Sequence, residues 1–531
     1  MLSKSKFDNF IKASNNMAQI QETYLLNLLK KNQNTSYGKR YTFKSIRNIK
    51  DYQEKVPVTE YEDYKHYLEQ IRNGKKGILS FDPFTRFTLT SGTTNSSKWI
   101  PYNVSLKKEF EESLGAWVYN LFENFPDLCR GRAYWTVTPV LNKEKYNSKI
   151  PVSFEENPLY FGILEKLLVN SIQSVPSIVS KISNFNDFKY ITLLFLMSDP
   201  ELRLISVWSP SYLKILLDYY KEISQLLLKD MENGTISVKI DSEIEITLRK
   251  KLSKNPNRAK YLRTISLDDN LFWEKVWKHL TLISLWTEGN SKLFISEIEK
   301  KFPNTKIQGK GLLSTEGFIT FPVFLEEFSG NLLAINSHFF EFRDIKSGSI
   351  VLANEVKPDS IYEVILTTGG GLYRYATKDQ IQLAGKFNQI PAFRFLGKEE
   401  TISDLVGEKL SEVYLNAVLK SEFQKKKIIP EFYYVKPEVK ENIGMYILFL
   451  ETLNQFNNED LANSIDSALT DNIYYAQARK SGQLARFKIE SLPSDSMKIF
   501  LESKIKNAPL GTTKYSLFHH KTEIETNNKK K

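Results

Sequence analysis

The sequence predicts an α/β protein, with sheet layers and a small β-barrel in a large N-terminal domain and a smaller α+β domain after it. Three observations predict this. Between residues 190 and 300, short apolar runs alternate with long helical patterns, the signature of layered α/β architecture. From Asn331 the pattern turns to short strands separated by turn residues, which suits a small barrel or a twisted antiparallel sheet. After Phe395 it changes again, to helix, two β-rich stretches and helix, a compact unit of domain size.

The elements follow in order. Apolar residues at Ile20, Tyr24, Leu25, Leu28 and Leu29 give an amphipathic helix over 7–31. Thr59, with Glu62 three residues on, reads as the capping box of a helix over 61–72. A strand over 87–89 enters a Ser/Thr-rich loop. Strands are expected at 204–208 and 280–286, and helices at 211–231 and 291–301. The strand-rich run gives 339–342, 361–367, 372–376 and 381–385. A helix over 411–423 precedes strands at 431–435 and 445–450, joined by a polar turn at Glu441-Asn442. A further helix starts at an Asn458 cap and another covers 495–504. The boundary falls at 396–400, giving domains 1–396 and 397–520 and a basic tail, 521–531, expected to be disordered.

Composition narrows the function classes. A chain of 531 residues with 41% hydrophobic content has material for two packed domains. The single cysteine, Cys129, excludes an internal disulfide framework and any Cys-x-x-Cys site. The histidines, His66, His279, His338, His519 and His520, show no metal-ligand spacing and read as structural. The N-terminus lacks the apolar run of a signal peptide. The most apolar stretch, 191–197, is far short of the roughly 20 residues that cross a bilayer. A cytoplasmic protein with no membrane partner is expected. The net charge is +11, but lysines alternate with acidic residues and part of the excess sits in Lys529, Lys530 and Lys531, so no nucleic-acid partner is expected.

Three segments carry chemistry. Thr90-Ser91-Gly92-Thr93-Thr94-Asn95-Ser96-Ser97-Lys98 follows a strand. Its N–H groups, hydroxyls and ammonium suit a polyphosphate, although the Walker spacing is absent. Leu312-Leu313-Ser314-Thr315-Glu316-Gly317 brings two hydroxyls and a carboxylate to a glycine. Glu316 is a candidate ligand for magnesium, which takes one or two carboxylates beside phosphate oxygens. In Thr367-Thr368-Gly369-Gly370-Gly371-Leu372-Tyr373-Arg374-Tyr375-Ala376-Thr377-Lys378-Asp379, the glycines imply a tight backbone passage and Asp379 can accept two hydrogen bonds from a diol. Each segment also has a structural reading, as a polar loop or a turn.

Together, and in this order, the three resemble the nucleotide motifs of the adenylate-forming superfamily. With Tyr37-Gly38, Val56-Pro57-Val58-Thr59-Glu60-Tyr61-Glu62, Trp286-Thr287-Glu288-Gly289, Phe340-Glu341-Phe342 and Phe393-Arg394-Phe395-Leu396-Gly397, the chain resembles the Gretchen Hagen acyl-acid amido synthetases over residues 20–518. Gly309-Lys310-Gly311-Leu312-Leu313 and the segment 403–412 look like the bacterial-type branch of that family. The resemblance implies an ATP-dependent ligase that forms an acyl-adenylate from a carboxylic acid, releases pyrophosphate, and passes the acyl group to an amine or amino acid. Coenzyme A as acceptor, or a non-catalytic homologue, are the alternatives. It implies magnesium, held by Glu316, as cofactor. ATP would contact Thr90, Ser91, Gly92, Thr93, Thr94, Lys98, Thr315, Tyr373, Asp379, Arg394 and Lys398. Lys514, on a mobile C-terminal domain hinged near Gly397-Lys398-Glu399-Glu400, would be catalytic with Glu316, because carboxylate attack on the α-phosphorus gathers negative charge. Three residues depart from the family pattern: Asn95, Lys378 where glycine is usual, and Lys398 where arginine is frequent. The acid and the oligomeric state are unreadable from the sequence.

Overall fold

The computed structural model describes residues 2–89, 98–135, 148–154, 172–288, 291–398, 402–403, 405–406, 408, 410–440, 443–497, 499–500 and 516–519. Two sheets position the candidate site. The first is a four-stranded parallel sheet in the order Arg132–Trp135, Leu202–Ser206, Leu282–Ser284, Lys306–Gln308. Helices Phe185–Ser198, Pro210–Asn233 and Lys292–Lys301 pack with it in the largest apolar core, which includes Leu194, Ile205, Leu216, Trp277 and Ile283. The long helix starts where the sequence asks it to. Ser209 accepts from the Tyr212 N–H at 3.3 Å and Pro210 follows at the first position; Gly234, at φ +68°, ends it.

The strand-rich run is a seven-stranded antiparallel sheet, ordered Ile350–Leu352, Phe339–Asp344, Ile361–Thr367, Tyr375–Phe387, Ile390–Lys398, Phe328–Leu333, Thr320–Leu325. Its ladder is open between the outer two strands among the described residues. The predicted strand over 372–376 does not form. Pairing starts at Tyr375, because Gly371 and Arg374 both take positive φ, +91° and +47°, and fold 372–374 into a turn. A smaller sheet pairs Phe84–Leu89 with Trp99–Asn103 and Val152–Phe154.

The N-terminal helix is two helices, Leu2–Ala13 and Met17–Asn32. Ser14 turns its hydroxyl back to the Ile11 carbonyl at 2.6 Å, and the chain bends there. The second helix then docks through buried Gln21, whose amide donates to the Ile335 and His338 carbonyls and accepts from the Phe340 N–H. The helix over 61–72 is present as Tyr61–Arg72, but its N-cap is Glu60, and Asp63 supplies the reciprocal carboxylate. Thr59 stands one residue before that cap, and its hydroxyl donates to the Tyr373 carbonyl at 2.9 Å.

The C-terminal part has its own sheet, Pro430–Lys440, Ile443–Thr452 and Lys488–Ser491. One face packs on Glu412–Lys425 and Asn458–Leu469 through Leu415, Leu419, Leu448, Leu461 and Ile465. The other carries Phe432, Tyr434, Ile447 and Phe449 against Ile215 and Phe294 of the parallel-sheet layer. The hairpin turn at Glu441-Asn442 lies outside the described residues. Of the helix expected over 495–504, residues 496–497 and 499–500 are described and helical.

Candidate active site

The glycine-led segment is the frame of the site. A Cβ on Gly369 would stand 2.2 Å from Glu109 Oε1, and one on Gly371 would meet Leu79 Cβ at 2.7 Å. The bare backbone lets Glu109 reach in and accept the Gly369 N–H at 2.8 Å. Beyond it, Arg374 is buried and fully engaged. It makes a bidentate pair with Glu341 (Nε to Oε2 and Nη2 to Oε1, both 2.9 Å) and donates to the Gln53 and Val56 carbonyls. Thr59 adds a parallel bridge to Tyr375. The Val56 to Glu62 and Phe340 to Phe342 motifs therefore meet the glycine-led segment and hold it in place.

Asp379, five residues after Arg374, is the opposite case. It is 1% exposed, yet neither carboxylate oxygen has a hydrogen-bond partner among the described residues. Its cross-strand partner Lys398 brings Nζ to 3.5 Å of Oδ1, an ion-pair distance without hydrogen-bond alignment. Buried carboxylates are normally bonded, so two open oxygens mark a place for an external donor. Lys378 supplies the turn before it at φ +63°, the left-handed conformation glycine would take. Its ammonium pairs with Glu60 at 3.0 Å, and its N–H donates to Glu363.

Thr315 and Glu316 sit on a tight turn in which Ser314 N donates to the Gly317 carbonyl at 3.1 Å. Both are buried, at 7% and 6% exposure. No hydrogen bond joins the Glu316 side chain to another described residue. This turn is tied to the glycine-led segment through His338, which is fully buried. The Phe318 N–H donates to His338 Nε2 at 2.9 Å, so the ring proton sits on Nδ1, 3.0 Å from Glu109 Oε2. The same carboxylate accepts from Tyr24 at 2.6 Å. Burial, then Glu109 beside it, holds the Tyr24 hydroxyl well above its usual range.

Other expected residues separate. Tyr373 is not available to a nucleotide through its side chain: it is fully buried, stacked on Tyr37 with centroids 4.9 Å apart, and its hydroxyl donates to the Leu79 carbonyl. Arg394 is exposed and pairs with Gln382, and a register shift between Gln380 and Ile381 separates that pair from Asp379 and Lys398. Lys98 is half-buried and leads into Trp99–Asn103. Thr90, Ser91, Gly92, Thr93, Thr94, Asn95 and Lys514 lie outside the described residues. The segment that follows Lys514 is anchored: Val435 N donates to the Leu517 carbonyl and His519 N to Val435, while Ser516 reaches Glu412. Sequence reasoning missed Glu109 and His338, which carry no local motif. Glu341 left a signal, an acid between two phenylalanines of an apolar strand.

Comparison with known proteins identifies the family and the fold. Residues 6–307 match the GH3 family N-terminal domain, 331–398 its central domain and 414–523 its C-terminal domain. Among curated proteins, the chain is 25% identical over 488 residues to indole-3-acetic acid-amido synthetase GH3.4 of Arabidopsis thaliana, covering 85% of this chain and 79% of that protein. It is 23% identical to jasmonoyl–L-amino acid synthetase GH3.5 of rice, Oryza sativa subsp. japonica, covering 91% and 89%. The fold matches that of the AtGH3.15 acyl acid amido synthetase in complex with 2,4-DB, with a TM-score of 0.85, 16% identity, and 99% and 95% of the two chains covered.

These relatives are plant-type enzymes, which overturns the placement in a bacterial-type branch. The wording that prompted it is set by packing. Gly311 takes φ +71°, and a Cβ there would stand 2.5 Å from the Thr320 carbonyl, while Leu312, Ser403, Glu408 and Glu412 are buried. Such positions report local geometry rather than lineage. Among the described residues, no helix is long and apolar enough to cross a membrane.

Proposed function

The chain belongs to the GH3 family, and from that premise we propose the following division of labour for an ATP-dependent acyl-acid amido synthetase. The enzyme adenylates a carboxylic acid, releases pyrophosphate, and transfers the acyl group to an amine or amino acid, leaving AMP. The curated relatives are amido synthetases by name, and they span most of the chain.

The observation that carries the site assignment is Asp379, a buried carboxylate with both oxygens open. Two adjacent ribose hydroxyls are the donors such a pair of oxygens suits. Thr315 and Glu316 stand on the neighbouring turn, and Thr90 to Thr94 with Lys98 are the phosphate-binding candidates. The fit of magnesium rests on Glu316, a buried carboxylate bonded to no described residue. Among the described residues no group of three or more His, Cys, Asp or Glu forms a cage, as expected where an ion is shared with phosphate oxygens. When bound, magnesium would neutralise phosphate charge beside Glu316.

The chain's own residues do the rest. Arg374 and Glu341 fix the turn before Asp379. Glu109 and His338 fix the two loops against each other, so that Glu316 and the glycine backbone keep one spacing. Lys514 would bring an ammonium to the pentavalent centre as the carboxylate oxygen attacks phosphorus and pyrophosphate leaves. We divide the chain into an acid- and ATP-binding part, 1–396, and a moving part, 397–520, which carries that lysine. Each part has an apolar core of its own, which supports the division, and a smaller cluster joins Phe432 and Tyr434 to Ile215 and Phe294 where the two meet.

The test is pyrophosphate release across a panel of acids, followed by mass spectrometry with amino acids, other amines and coenzyme A. Acid-dependent pyrophosphate and an amide product are expected. A thioester with coenzyme A and no amide would overturn the acceptor assignment, and acid-independent release would overturn the adenylation step. An unchanged KM for ATP in Asp379→Asn would remove Asp379 from the nucleotide site.

A further inference from the structure

Lys310 lies between the Lys306–Gln308 strand and the Thr315–Glu316 turn, and nothing above uses it. It is 4% exposed, and its ammonium donates to Ser206 Oγ at 2.8 Å. Two indoles face it, Trp117 with its centroid 5.5 Å from Nζ and Trp208 at 5.0 Å. Burial pushes Lys310 down to about 7, and no charge among the described residues offsets it. A buried cation without an anion is costly to the fold.

The surroundings are equally unusual. Ser206, Ser284 and Gln308 are the last residues of three adjacent parallel strands and pair in register, Ser206 with Ser284 and Ser284 with Gln308. In-register partners share a face of the sheet. Ser284 Oγ and both amide atoms of Gln308 are buried without a hydrogen-bond partner among the described residues. Polar groups gathered at the carboxyl ends of parallel strands are where α/β sheets bind ligands. Four residues here offer donors or acceptors, and aromatic walls stand beside them.

We propose that this row is the floor of the acyl-acid pocket, and that Lys310 is a specificity-determining residue that binds a carboxylate of an aromatic acid. The assignment rests on the amido synthetase reading for the identity of the ligand. The acid's ring packs on Trp117 and Trp208, its carboxylate oxygens meet Lys310 and Ser206, and Gln308 and Ser284 bond the remaining lone pairs. The bound carboxylate is either the one to be activated or a second one on the same acid.

The experiment is calorimetric titration of the intact protein with benzoate and with terephthalate, without ATP. At pH 8 Lys310 is mostly neutral, and an incoming carboxylate raises its proton affinity. Binding should then take up about one proton, read from the dependence of the heat on buffer ionisation enthalpy. Lys310→Met should lose that uptake and bind at least tenfold more weakly, with Lys310→Gln, which retains a group for Ser206, as the second variant. Weaker benzoate binding in the variants identifies the activated carboxylate. A terephthalate preference present only in the unmodified protein identifies the second one. Affinities unchanged by both substitutions, binding without proton uptake, or no binding of either acid would overturn the proposal. ATP binding measured on each variant confirms an intact fold. If the binding arms succeed while pyrophosphate release fails for every acid, the pocket stands and the synthetase assignment falls.

Discussion

Arg374 and Asp379 lie five residues apart in one motif, both nearly inaccessible, and they are built in opposite ways. Four of the five N–H donors of Arg374 are taken, two by Glu341 and two by backbone carbonyls. Asp379 has no hydrogen bond to either oxygen among the described residues. The difference teaches how to divide a motif into what shapes the loop and what the loop exists to present. A group satisfied from within serves the fold. A group buried at cost and left open serves a ligand. The same test separates Glu109, which accepts from Tyr24 and Gly369, from Glu316, which has no such partner among the described residues.

Substitution should break this comparison cleanly or refute it. The largest effect is expected at the satisfied pair. Glu341→Gln leaves a buried guanidinium short of its anion, and breaking such a pair costs about 3–5 kcal/mol. Urea unfolding should register that loss, with activity per folded molecule little changed near the midpoint of stability. Asp379→Asn should do the reverse. Only the 3.5 Å ion pair with Lys398 is lost, so unfolding free energy should fall far less than in Glu341→Gln. The KM for ATP should rise about 10–100-fold, since a hydrogen bond to a charged group is worth about 1.5–3 kcal/mol. If Asp379→Asn destabilises the protein while leaving ATP kinetics intact, the two residues are the same kind of thing and the distinction fails.

How much of this was legible in the sequence follows from the range of each interaction. The helix Pro210–Asn233 was readable because its periodicity, its Ser209 cap and its Gly234 stop are all local. Asp379, Thr315 and Glu316 could be singled out as candidates because hydroxyls, carboxylates and glycines stand together along the chain. The strand over 372–376 was misread because the turn is imposed from 318 and 321 residues away, by Val56 and Gln53 accepting from Arg374. Tyr373 was assigned to ATP through the family resemblance, yet its side chain is drawn inward by Leu79 and Tyr37. Glu109 and His338 were invisible, since each is ordinary until the loops at Gly317 and Gly369 are brought to opposite ends of it. Lys310 was read as branch wording, because only the register of three parallel strands sets Ser206 and Ser284 near it.

The smallest effect tests the comparison at the helix Tyr61–Arg72, where sequence and structure name different acids. The sequence assigns the reciprocal cap to Glu62, with Thr59 as its partner. In the structure Asp63 accepts the Glu60 N–H at 2.8 Å, Thr59 is spent on Tyr373, and Glu62 only meets Lys65 on the surface. Asp63→Ala should therefore lower stability by about 1 kcal/mol, the usual worth of a helix cap. Glu62→Ala should change it by less than about 0.5 kcal/mol, as exposed ion pairs do. Thr59→Val should cost about 1 kcal/mol through its lost buried hydrogen bond, and that loss should add to the Asp63 effect, because the two serve different partners. If Glu62→Ala proves the costlier change, and Thr59→Val and Glu62→Ala together cost less than their sum, then Thr59 caps the helix after all. Its hydroxyl would no longer be spent on Tyr373, and the satisfied half of the comparison would lose one of its anchors.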